Sequence, residues 1–211
     1  MRRFPALAAA AALVLVPAAA AAQSPPASDE VVAVAAWSIR SGDHGELPFA
    51  VVDKRAARVY VFGADGRLVG EAPALIGMTA GDHAEPFKGD RELSSIPPPE
   101  RTTPAGRFLA GWGNATKGRR VLWVDYPTAV SIHPLASVNE GEHREDRMAS
   151  ETPDDNRITY GCINVPPEFF ETVVRPTFAR AGVFYVLPET KPLKQAIPGF
   201  VPPPGLALAA R

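Results

Sequence analysis

The chain has 211 residues, 46% of them hydrophobic, with 22 Lys and Arg against 23 Asp and Glu for a net charge of −1. That length supports one domain with a sizeable core, and a balanced charge without a basic stripe excludes the footprint of a nucleic-acid-binding protein. One cysteine excludes an intramolecular disulfide, and with four scattered histidines it shows no zinc-ligand spacing, so neither metal nor other cofactor is implied.

Met1-Arg2-Arg3 followed by the Ala/Leu/Val run from Ala6 to Ala22 has the n-region and h-region of an export signal, with Ala20-Ala21-Ala22 as the cleavage site before Gln23. The run is too short and alanine-rich for a membrane span, and no cysteine near the cleavage site offers a lipid anchor. Residues 1–22 are therefore expected to be removed, leaving an exported chain, periplasmic or wall-associated, with no span. Residues 23–46, rich in Ala, Ser and Pro, read as a linker or short helix.

Phe49 to Asp53 and Ala57 to Phe62 are β-type runs joined in a hairpin by Lys54-Arg55-Ala56. Ala64-Asp65-Gly66 makes a second turn, and Leu68 to Ile76 a third strand. Residues 79–103, with several prolines, glycines and charges, read as a long loop. Thr103-Pro104-Ala105-Gly106-Arg107-Phe108 opens a strand ending near Trp112, and Val121 to Val124 and Ala129 to His133 supply two more. Residues 137–157 are too polar to be core.

After a strand around Cys162, Pro166-Pro167 starts a helix with Phe169, Phe170, Val173, Val174 and Phe178 on one face, which Pro176 should kink or split. Val183 to Leu187 is a last strand, and residues 189–211 form a Pro-rich tail. Many short strands and one principal helix after the cysteine strand predict a mainly β, sandwich-like or barrel-like domain over residues 47–188.

Cys162 lies in Ile158-Thr159-Tyr160-Gly161-Cys162-Ile163-Asn164-Val165. A lone thiol in an exported chain is either a nucleophile or a small buried hydrophobe. As its base, His44 and His83 lie in polar segments far upstream, and His143 sits in a run of charges that reads as a solvated face. His133 ends an apolar strand, which would hold its ring; the alternative is a satisfied core histidine. Main-chain N–H groups around Tyr160, Gly161 and Cys162 could form an oxyanion hole, glycine allowing close approach of a carbonyl. Histidine before cysteine disfavours a papain-like order, and the flanking residues lack the caspase pattern.

These motifs resemble the L,D-transpeptidase catalytic domain of YkuD type, the cysteine enzymes of bacterial cell-wall cross-linking. That family has Ile-His-Gly ending a strand and, after a variable loop, Ser/Thr-His-Gly-Cys-apolar-Arg/Asn. Ile132-His133-Pro134 and Thr159-Tyr160-Gly161-Cys162-Ile163-Asn164 match them in order, joined by the opening hairpin, Gly77 and Thr103-Pro104-Ala105-Gly106. Tyr160 stands where the family has histidine, Pro134 where it has glycine, and the His–Cys separation of 29 residues is long.

The resemblance implies an L,D-transpeptidase-like β-sandwich acting on peptidoglycan stem peptides. Cys162 would attack the third stem residue, His133 would serve as general base, and D-alanine would leave before a 3–3 cross-link forms. Gly161 and Tyr160 would supply the oxyanion hole. Thr159 and Asn164 would order the turn and substrate, and the Pro134 carbonyl would hold the imidazole tautomer. Residues 135–157 would form a lid or rim, with Arg147 and Arg157 flanking the cleft. Hydrolysis of the same acyl-enzyme, and a catalytically silent wall-binding protein marked by Tyr160, remain alternatives. Oligomeric state leaves no mark in the sequence.

Overall fold

A computed structural model describes residues 25–86, 91–92, 95–115, 118–136 and 139–205. The expected export signal, residues 1–22, lies outside them. Among the described residues the chain is mainly β. An eight-stranded mixed sheet runs in the order β3 (Leu68–Pro73), β2 (Arg58–Phe62), β1 (Phe49–Asp53), β10 (Ala181–Val186), β5 (Gly106–Asn114), β6 (Arg120–Asp125), β7 (Val130–Pro134) and β9 (Ile163–Val165). Only the β1–β10 and β7–β9 pairs in it are parallel. A small second sheet pairs β4 (Ile76–Gly77) with β8 (Arg157–Thr159).

The sheet curls back on itself. Leu75, just past β3 at one edge, and Asn164 of β9 at the other exchange two main-chain hydrogen bonds of 2.9 Å. The sandwich-like layers are thus two parts of one bent sheet. Their inward side chains, among them Ala50, Val52, Leu122, Val124, Ile132, Ile163 and Phe184, share a single core. Phe170 and Val174 enter that core from α3, which spans 167–177, and Phe178 from just beyond its end; α3 contains a π-helical turn at Phe170–Val174, ending two residues before Pro176. The wide turn lets proline continue the helix, since its ring would otherwise strike the carbonyl four residues back.

Every residue of β1 is buried because both of its faces are covered. Ala50 and Val52 face the first core, whereas Phe49 and Val51 face a second one, as the two-residue period of a strand requires. That second core draws on residues from both flanks of 47–188. Within 23–46, Asp29–Ser41 forms a helix, α1, capped by Ser28 and ended by Gly42 at φ 69°, and it buries Val31, Val34 and Trp37 on the sheet. Within 189–211, the short α4 (Leu193–Ala196) and the residues after it bury Leu193, Ile197 and Phe200 in the same cluster. Trp37 packs edge-on to both Phe200 and Tyr185.

A buried ion cluster ties these parts together. Lys54, 1% exposed, pairs with Asp82 at 3.1 Å and Glu189 at 3.4 Å and also donates to the Gly81 and Thr103 carbonyls. Burial pushes the Asp82 carboxyl up, but donors from Glu189 and Thr190 and the Lys54 ammonium outweigh it and hold it well below the carboxylate range. A depressed folded-state value means that this contribution is complete above about pH 4 and is lost as pH falls below it.

Replacing Trp37 by Ala should cost about 3–5 kcal/mol in urea or guanidinium unfolding; a near-zero cost would return α1 to the status of a linker. Asp82→Asn should narrow the stability difference between pH 7 and pH 3, measured by denaturant titration. An unchanged difference would mean that other carboxylates set the acid limb.

Candidate active site

The parallel pairing of β7 with β9 places Ile132 beside Ile163 and His133 beside Asn164. Residues 131, 133 and 164 then project from the face opposite the core, because Ile132 and Ile163 point inward. Cys162 occupies the bend just before β9, half-buried, with Sγ 3.6 Å from Ser131 Oγ and 3.6 Å from the Ala129 carbonyl oxygen. The sequence reading placed the cysteine on a strand; the structure puts it at the strand's entrance, where a side chain can reach outward.

The bend is held from both sides. Thr159 Oγ1 donates to the Cys162 carbonyl at 2.6 Å and accepts from the Gly161 N–H at 3.1 Å. Thr103 Oγ1 donates to the Gly161 carbonyl at 2.8 Å and accepts from the Gly77 N–H at 2.9 Å. Gly161 has φ 124°, a backbone state that L side chains rarely adopt. At Gly77 a Cβ would fall 2.6 Å from the Arg101 oxygen and the Thr103 nitrogen. The two weak signals of the sequence, Gly77 and Thr103-Pro104-Ala105-Gly106, therefore meet in one clamp beneath the cysteine.

His133 Nδ1 lies 2.8 Å from the Pro134 oxygen and Nε2 lies 3.0 Å from Asn164 Nδ2. His133 is the main influence that lowers the pKa of the Cys162 thiol. Burial pushes the Cys162 thiol up. Hydrogen bonding and charge from His133, then the Ser131 backbone and hydroxyl, outweigh it and bring the thiol down to about 7. Near neutral pH a large fraction is then thiolate, the nucleophilic form.

Other candidates fall elsewhere. The Gly161 N–H, expected in an oxyanion hole, is taken by Thr159. Tyr160 lies under the Arg101 guanidinium, 4.2 Å from its ring centroid, so its ring is held by that cation. Arg147 donates to the Glu142 and Asp155 carbonyls, and Arg157 pairs with Glu189 and the Lys54 carbonyl; both are structural ties rather than free cations. His44, which the sequence places in a polar segment, is buried against Phe49 with its ring bonded to the Leu47 carbonyl. His83 and His143 are exposed.

Two partners were not singled out by sequence. Ser131 could have been found, since it sits two residues before His133 on an alternating strand. Arg144, which donates to Asn164 Oδ1 at 2.8 Å, comes from α2 (Arg144–Ala149) in the charged stretch and carried no such signal. Among the described residues no cluster of three or more His, Cys, Asp or Glu could hold a metal ion, and no helix is long and apolar enough to cross a membrane.

The sequence matches no protein-family model and no curated protein. Most of the similar solved structures are L,D-transpeptidases. The catalytic domain of an E. faecium L,D-transpeptidase is 18% identical with a TM-score of 0.37, covering 67% of this chain and 98% of that one. An L,D-transpeptidase from Mycobacterium smegmatis is 17% identical with a TM-score of 0.36 over 66% of this chain and 58% of that one. The helical cell shape determining protein Pgp2 from Campylobacter jejuni is 17% identical with a TM-score of 0.42 over 69% and 49%. This chain thus spans less than two thirds of the length of the latter two.

Alkylation of Cys162 by iodoacetamide should follow a titration with a midpoint near pH 7. Ser131→Ala removes a stabilising donor and should raise that midpoint by about half a pH unit. A midpoint above pH 8 in the parent chain would show an ordinary thiol.

Proposed function

We propose that the chain is a cysteine acyl transferase of the L,D-transpeptidase kind, acting on peptidoglycan tetrapeptide stems. The observation that carries this reading is the placement of the Cys162 thiol at the entrance of β9, 3.6 Å from Ser131 Oγ on the paired strand that also carries His133, an environment that lowers the thiol's pKa. The thiol sits in the residue order Ile-His … Thr-Tyr-Gly-Cys-Ile-Asn that resembles the family motif. A lowered thiol paired with a histidine whose other nitrogen is oriented by a carbonyl is the usual arrangement of an activated nucleophile.

In this reading Cys162 gives its proton to His133, and the thiolate attacks the carbonyl carbon of the third stem residue. The oxyanion is taken by the N–H of Cys162, because Thr159 already engages that of Gly161. Collapse breaks the C–N bond to D-alanine, which leaves with the proton from His133, and a thioester remains. The amine of a neighbouring stem then attacks the thioester, passes its proton to His133, and the thiol is restored as a 3–3 cross-link forms. No step needs a metal or a redox partner. Domain limits of 47–188 are widened here to about 28–200, and residues 1–22 serve as the export signal that brings the chain to the wall.

Purified residues 23–211 incubated with disaccharide-tetrapeptide, and read by mass spectrometry, should give a cross-linked dimer lacking one D-alanine, with Cys162→Ala lowering its yield by at least about 10³-fold. Tripeptide alone would make water the acceptor and the chain a hydrolase. The absence of both product and acyl adduct would remove the enzymatic reading.

A further inference from the structure

Asn164 is 1% exposed, and the two ends of its amide face different partners. Oδ1 accepts from Arg144 Nη1 at 2.8 Å, and Nδ2 lies 3.0 Å from His133 Nε2. A guanidinium carries only donors, so the oxygen end of the amide must be the end that meets Arg144. The nitrogen end is thereby turned to the imidazole. On the other side of the ring the Pro134 oxygen only accepts, so Nδ1 carries a hydrogen and Nε2 keeps a lone pair. Arg144 is itself held by Glu142 Oε2 at 2.5 Å, with its side chain 9% exposed. Along Glu142, Arg144, Asn164, His133 and Pro134 each of these contacts pairs a donor with an acceptor in this one arrangement.

We propose that Arg144 is a positioning residue that sets the orientation of the Asn164 amide and, through it, keeps the His133 ring in the neutral form with a hydrogen on Nδ1 and a lone pair on Nε2. This rests on reading Cys162 and His133 as the working pair. The charged and titratable groups around the amide are Arg144 and Glu142 from the segment before β8, His133 from β7, and Cys162 from the bend.

The arrangement has an asymmetric consequence. When Nε2 takes the proton of Cys162, its new N–H faces the N–H of Asn164, and two donors oppose each other. With Arg144 in place the amide cannot turn over without losing its bond to the guanidinium. Without Arg144 the amide is free to rotate and offer Oδ1 to the imidazolium, and a hydrogen bond to a charged form favours that form. Removing Arg144 should therefore make the thiolate–imidazolium pair easier to form in the free protein. A side chain that merely supported the fold would leave the titration where it was, or raise it as the site loosened.

The test is the pH dependence of Cys162 alkylation by iodoacetamide in three full-length proteins. In Arg144→Met the midpoint should fall by about one pH unit, so that alkylation below the midpoint is about tenfold faster than in the parent chain. Arg144→Lys keeps a donor and should return the parental profile. An unchanged or raised midpoint in Arg144→Met overturns the proposal. A second measurement does not depend on that variant folding: imidazole ¹⁵N shifts of Cys162→Ala, followed with pH to their alkaline plateau, should show Nδ1 protonated and Nε2 bare. The reverse tautomer overturns it equally. Alkylation needs no wall peptide, so loss of the transferase reading would appear as missing cross-linked product with these profiles intact, whereas failure here would leave that product in place.

Discussion

The candidate site depends on one strand pairing. β7 and β9 lie side by side in parallel, and their register alone decides that His133 is next to Asn164 and that Cys162 enters beside Ser131. A slip of one residue would turn Ile132 or Ile163 outward and bury the polar set, which the core does not permit. The burial of Ile132, Ile163 and Val165 thus fixes the outward direction of Ser131, His133 and Asn164. Parallel neighbours need a long crossover, and residues 135–162 supply it, carrying Arg144 and Glu142 back over the pair they connect.

Around that pairing the bend is immobilised by short hydroxyl side chains. Thr159 bridges the bend internally, and Thr103 fastens it to the loop that follows β4. Lys54 extends the support: it donates to the Thr103 carbonyl while pairing with Asp82 and Glu189. A buried ion pair is weak evidence of net stability. Its value in this fold lies in bringing three distant loops to a common point under Cys162.

Much of this was legible in the sequence, for reasons that can be named. The strands announced themselves through two-residue alternation and turn residues, and the helix after β9 through its spacing of Phe and Val. His133 and Cys162 stood out because each sits at the end of an apolar run, where a packed strand aims a polar side chain. What escaped reading depended on contacts distant in sequence. Trp37 and Phe200 look like parts of two Pro-rich flanks until they are seen packed against each other and Tyr185. The short apolar stretch around Val31 carried the signal for α1, but one turn of alternating Ala and Val says nothing of what it will cover. Arg144 lay in a run of charges whose composition suggests only solvation, and Arg147, three residues on, was as plausible. The Gly161 N–H was unavailable for a reason no motif encodes, the rotamer of a neighbouring threonine.

The support beneath Cys162 also dictates when the thiol becomes unusual. Its bend leans on Thr103, which leans on Lys54, which is paired with Glu189 in the segment after β10. Loop closures spanning that much chain are slow to form. A nascent or unfolded copy therefore carries an ordinary thiol, with neither the held bend nor the neighbouring imidazole that lowers it. Reactivity arrives with the last strand and the segment after it, so the chain is chemically quiet until its folding is nearly complete.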